Sequence, residues 1–125
     1  MYVDKAKQPQ RGSYLVVMGD YLTGQDVAES IEYYDPSAVV IVRHSMAAAI
    51  KALEFVQQIK VAFVGDTLTG FGNCMIAELL AQRGARVVRI GDAAEAHGDA
   101  AGWRVLQRPF SMAMVHAHLE ETATA

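Results

Sequence analysis

The sequence is poor in residues that staple or anchor a chain. A single cysteine, Cys74, stands among its 125 residues, which excludes an internal disulfide and a zinc cage built on thiolates. Its longest apolar stretches run to about six residues, far short of the roughly 20 that a spanning helix needs. No charged-then-apolar leader is visible, so the expectation is a cytoplasmic protein with no membrane association. Basic character is also missing. Eleven Lys and Arg face 14 Asp and Glu, for a formal net charge of −3. With no dense basic run, sequence-independent nucleic-acid binding has nothing to rest on, and no nucleic-acid partner is expected.

What remains is an ordinary globular composition, 52% hydrophobic and 20% charged. The length suits one domain, which at this size buries roughly two-thirds of its unfolded surface and folds without staples. Residues 1–12 are polar and carry Lys5, Lys7, Pro9 and Arg11. They are expected to form a flexible N-terminal arm. Residues 13–121 form the expected domain, and residues 122–125 a disordered tail.

Five short apolar runs follow the arm: Tyr14 to Met18, Ala38 to Val42, Val61 to Val64, Val87 to Ile90 and Trp103 to Leu106. They are β-branched and near-continuous, as expected of parallel strands covered on both faces. Val16, Val40, Phe63, Val88 and Val105 are the expected buried members. Between the runs lie helical patterns. Val27, Ile31 and Tyr34 share a stripe after Thr23, a candidate N-cap, and Pro36 stops that helix. Ser45 caps a second, with Ala49, Ile50, Leu53 and Val56 inward. Asn73 is the candidate cap of a third, with Ile76, Leu79 and Leu80 inward and Gly84 at its end. Ser111 opens the last, with Met112, Val115 and Leu119 on one side. Ala93 to Gly102 reads as a short helix or a loop.

Alternating strands and helices point to an α/β fold, a flavodoxin-like doubly wound sheet of five parallel strands in the order 2-1-3-4-5. In such a sheet ligands bind at the C-terminal strand edge, where the order reverses beside the first strand.

Three local motifs sharpen this. Leu106-Gln107-Arg108-Pro109-Phe110 resembles the L-x-K-P-F segment of response regulator receiver domains. Gly65-Asp66-Thr67-Leu68-Thr69-Gly70 resembles that family's D-x-x-L-x-G loop. Ala81-Gln82-Arg83-Gly84, ahead of an apolar strand, resembles compact single-domain receivers. Their order and spacing over Ser13 to Glu121 are similar to a receiver. The resemblance implies a two-component signalling module with protein partners, a sensor kinase or an output protein, and leaves a homodimer open. It implies an output surface near His97 to His118, and a cis peptide at Arg108–Pro109.

The same alignment shows departures. The resemblance implies an acidic pair after the first strand, where this chain has Met18-Gly19. It implies a phosphoacceptor Asp where Gly65 stands, a hydroxyl residue where Gly91 stands, and a Lys where Arg108 stands. An acid follows each lost residue: Asp20, Asp66 and Asp92. A one-residue gap would return Asp66 to the acceptor position, with Mg²⁺ held by Asp20 and Asp66. Otherwise each Gly-Asp pair simply turns a strand into a loop and its Asp caps the turn. Gly19, Gly65, Thr67, Gly91, Asp92, Arg108 and Pro109 line the expected crevice, with Arg108 paired to one of the acids.

Other chemistry is weaker. His116 and His118 stand two apart on a helix and face different ways, so they are not a chelating pair. His44 ends the second strand near the crevice. Gly70-Phe71-Gly72-Asn73 precedes a helix, but no Gly-Lys-Ser/Thr follows to make a phosphate loop. The leading reading is a pseudo-receiver: phosphorylation-independent, non-enzymatic, without a cofactor, acting by protein binding. The alternatives are a working receiver phosphorylated on Asp66 with Mg²⁺, and a small enzyme or nucleotide-binding domain that uses the same crevice.

Overall fold

A computed structural model describes residues 12–65, 71–97 and 103–123, with the side chains of 71–74, 97 and 121–123 outside that description. The elements are β1 (Ser13–Val17), α1 (Tyr21–Tyr34), β2 (Val39–Arg43), α2 (Met46–Leu53), β3 (Val61–Gly65), α3 (Phe71–Gln82), β4 (Arg86–Ile90), α4 (Asp92–His97), β5 (Arg104–Val105) and α5 (Met112–Ala123). Every strand pair is parallel and the order is β2-β1-β3-β4-β5, as the alternating runs imply. Most of the expected arm, and residues 124 and 125 of the expected tail, lie outside the described residues.

Side-chain alternation along the strands divides the core in two. Tyr14, Val16, Met18, Val61, Phe63, Val88 and Ile90 pack on one face with Val27 and Ile31 of α1 and Val115 and Leu119 of α5. Leu15, Val17, Ala62, Val64 and Val87 pack on the other with Leu53 of α2 and Leu80 of α3. Helices on both faces are what the near-continuous apolar runs require. The register places Val16 beside both Val42 and Phe63, and Phe63 beside Val88. Val16, Phe63 and Val88 are fully buried. Val40 and Val105 are only partly buried, because β2 and β5 are the edges and β5 pairs over two residues.

Two helix starts differ from expectation. Asp20, not Thr23, caps α1: its backbone is extended and its carboxylate accepts from the Leu22 amide. Asn73 lies inside the first turn of α3, which opens at Phe71. Ser45 and Ser111 do cap, accepting from the amides of Ala48 and Met114 at 3.2 Å each. Gly84 ends α3 at φ +74°, and the next amide reaches back to the Leu80 carbonyl. Met112 falls at the edge of the inward stripe of α5 and is 42% exposed. The weak segment is a short helix as far as His97, and its remainder lies outside the described residues. Among the described residues, no helix is long and apolar enough to cross a membrane.

Arg83 ties the lower ends of two helices together. Its guanidinium donates to the carbonyls of Val56, Leu79 and Leu53 at 2.8, 2.9 and 2.8 Å. Those carbonyls follow or end α2 and α3, where helix geometry leaves acceptors without partners.

Candidate functional site

The C-terminal ends of β1, β3 and β4 open into a crevice of about 320 Å³. It lies where the strand order reverses, the position such sheets use for ligands. Its floor is Met18, Gly65 and Ile90, and its rim includes Asp20, Thr23, Asp92 and Arg108.

Met18 takes the place of the first-strand acid. It is buried at 5% exposure, its amide donates to the Arg43 carbonyl, and its own carbonyl accepts from His44 Nδ1 at 3.0 Å. A carbonyl can only accept, so that nitrogen carries the ring proton. The Tyr21 ring, 5.2 Å away, covers the same imidazole. Met18 runs toward Gly65, where a Cβ would lie 3.1 Å from its sulfur and 3.2 Å from its methyl carbon. The thioether thus fills the space into which any side chain at position 65 would grow. Gly19 beside it is exposed.

Of the three acids, the two described ones, Asp20 and Asp92, turn to different partners. Asp20 turns back onto its own helix, where the Thr23 hydroxyl and the Leu22 amide donate to it. Its pKa lies below the ordinary aspartate value, chiefly through the Thr23 hydroxyl, with weak desolvation opposing and backbone amides adding. Its geometry as the cap of α1 supports the turn-and-cap reading at this position. Asp66 and Thr67 lie outside the described residues. Among the described residues, no group of three or more metal-ligating side chains comes together. A thioether and a glycine at the end of β1 do not suit Mg²⁺, which seeks carboxylate oxygens.

Asp92 begins α4 with a side chain 98% exposed, and it pairs with Arg108. Glu95 holds Arg108 more fully. One of its oxygens accepts both the Arg108 amide at 3.0 Å and the Nε hydrogen at 2.8 Å. Glu95 is thereby held below the usual carboxylate range, first by the Arg108 guanidinium. Arg108 is pushed further above its ordinary value by Glu95 and then Asp92. The Arg108–Pro109 peptide is cis. Arg108, at the rim of the crevice, therefore clamps the β5–α5 loop to α4 and pairs with one of the expected acids, Asp92. Glu95 was missed in the sequence, and its only signal was a position three residues after Asp92, on the same side of a helix. Gly91, buried between β4 and α4, adopts φ +139°. That backbone disfavours the hydroxyl residue the receiver pattern calls for.

No family model matches this chain, and no curated protein matches it significantly. Solved structures do. A response regulator receiver protein from Sinorhizobium medicae aligns with a TM-score of 0.74 at 17% identity, over 94% of this chain and 98% of that one. The fold is that of a receiver domain. The chemotaxis response regulator CheY4 of Vibrio cholerae aligns at 0.68 and 12% identity, over 90% and 98% of the two chains. A protein from Rhodopirellula baltica described as an adenylate cyclase aligns at 0.70 and 15%, over 91% and 88%. The receiver fold here carries Met18, Gly65, Gly91 and Arg108 at the four positions where the sequence departs from the receiver pattern.

Proposed function

We propose that this receiver-like domain is a signal-transduction module that binds a protein partner without being phosphorylated. The observation that carries the reading is the Met18 thioether lying against Gly65. Acyl-phosphate chemistry needs a carboxylate nucleophile beside a cation that neutralises the phosphoryl charge. In this chain an apolar side chain occupies the position of one requirement, and a glycine replaces the other. The Arg108 clamp on Asp92 and Glu95 supports the same reading, since it fixes the β5–α5 loop with no phosphoryl group to hold it. The domain then presents one fixed surface to a sensor kinase or an output protein, in the cytoplasm, with no enzymatic step of its own.

The test is incubation with acetyl phosphate and Mg²⁺, followed by intact-mass measurement. The expected result is no stoichiometric addition. A base-labile acyl phosphate mapped to Asp66 would overturn the proposal in favour of a working receiver.

A further inference from the structure

The crevice is apolar below and acidic above. Met18 and Ile90 are buried side chains of its floor, and neither side chain carries an oxygen. Gly65 between them has no side chain, so a guest can approach the backbone at the end of β3. Asp20, Asp92 and Arg108 stand on the rim. Arg108 does not neutralise it, because the guanidinium is shared between Asp92 and Glu95. Asp20, Asp92 and Glu95 set against Arg108 leave two negative charges at the mouth. The N-terminal ends of α1 and α4 each return up to about half a positive charge, so the sign stays negative. Asp20 remains ionised, since the Thr23 hydroxyl and the backbone amides hold its pKa down. The volume of about 320 Å³ is at the small end of the roughly 300–1,000 Å³ range of ligand sites.

We infer that the crevice binds a small organic ammonium ion, whose apolar body of one ring or a short chain lies on Met18 and Ile90 while its ammonium group sits at the rim with Asp20 and Asp92. An aromatic body suits the floor, because a thioether makes favourable contacts with ring edges. The rim carboxylates select the sign of the guest, and an anion meets a guanidinium that already has two partners. A bare divalent cation gains nothing from a floor without oxygen ligands. The assignment rests on the reading that no phosphoryl group occupies the crevice. The two fail separately: an acyl phosphate on Asp66 overturns that reading, and a Met18 methyl group that ignores the amine overturns this one.

The experiment labels the methionine methyl groups of the full chain with carbon-13, assigns Met18 by Met18→Leu, and titrates phenethylammonium chloride while NMR spectra are recorded. The Met18 methyl resonance is expected to move upfield through the ring current and to saturate at millimolar amine. Those of Met46 on α2 and Met112 on α5 are expected to stay in place. Phenylacetate, of similar size and opposite charge, is expected to leave Met18 unmoved. Affinity for the amine is expected to fall about threefold in Asp92→Asn. It is expected to be unchanged in Glu54→Gln, which removes an exposed acid at the end of α2. An unmoved Met18 methyl, equal movement with phenylacetate, or equal loss in the two variants would overturn the proposal. So would displacement of the amine by millimolar Mg²⁺ at matched ionic strength, which would make the rim a divalent-cation site.

Discussion

The contact between Met18 and Gly65 sets a sign that a double-mutant cycle reads directly. In Gly65→Ala the new Cβ meets the Met18 sulfur at 3.1 Å and its methyl carbon at 3.2 Å, against an ordinary separation of about 3.5–4.0 Å. Both atoms are the far end of a flexible side chain, so relief costs about 1 kcal/mol. Loss of glycine's freedom in the unfolded chain returns about half of that. The net effect is roughly 0.5 kcal/mol of destabilisation. Met18→Ala empties buried space beside the crevice and costs about 2.5 kcal/mol, near the low end for such truncations. In the double variant the methyl group added at position 65 enters that space, and the total is about 2 kcal/mol in place of the additive value of about 3. The coupling of about 1 kcal/mol appears in urea denaturation as a midpoint some ~0.7 M above the additive value. Additivity within about 0.5 kcal/mol would show that the two residues do not share that space.

Three further outcomes follow from other parts of the fold. Arg83→Ala removes three charged donors from the ends of α2 and α3, and should cost about 2 kcal/mol, lowering Tm by several degrees in a thermal melt. Gly91→Thr places a β-branched residue at φ +139° and should destabilise by roughly 1–3 kcal/mol in urea denaturation, so restoring the hydroxyl makes a weaker domain. Glu95 has a folded pKa below its unfolded value. Its contribution is therefore present above the unfolded pKa, about 4.3, and is lost as the pH falls through the folded value. Melting at stepped pH should show a shallower acid limb in Glu95→Gln and in Arg108→Ala than in the parent chain.

The sheet was legible because each strand is a short apolar run bounded by turn residues, and both faces needed cover. Strand order came with the alternation of five strands and helices, and the cis peptide with the resemblance carried by Leu106 to Phe110. Burial at the edges was not legible, since Val40 reads like Val16 until the order shows that only one of them has neighbours on both sides. The crevice was half legible. Met18, Gly65, Gly91 and Arg108 were recognised as departures, but what fills the vacated space depends on a side-chain path that no periodicity encodes. Asp20 looked like a crevice acid because it follows a strand, whereas an extended backbone and Thr23 three residues on make it a cap. Glu95 reaches Arg108 across 13 residues, from a segment whose own helix was weakly written.

Met18 also constrains the history this chain can have. A carboxylate placed at position 65 would press on the thioether beside an apolar floor. One placed at position 18 would be buried where a thioether now packs. Each change alone weakens the domain, so a chain that exchanges both residues passes through a less stable intermediate. Substitution at these two positions is therefore coupled, and relatives that share the buried methionine are expected to share the glycine.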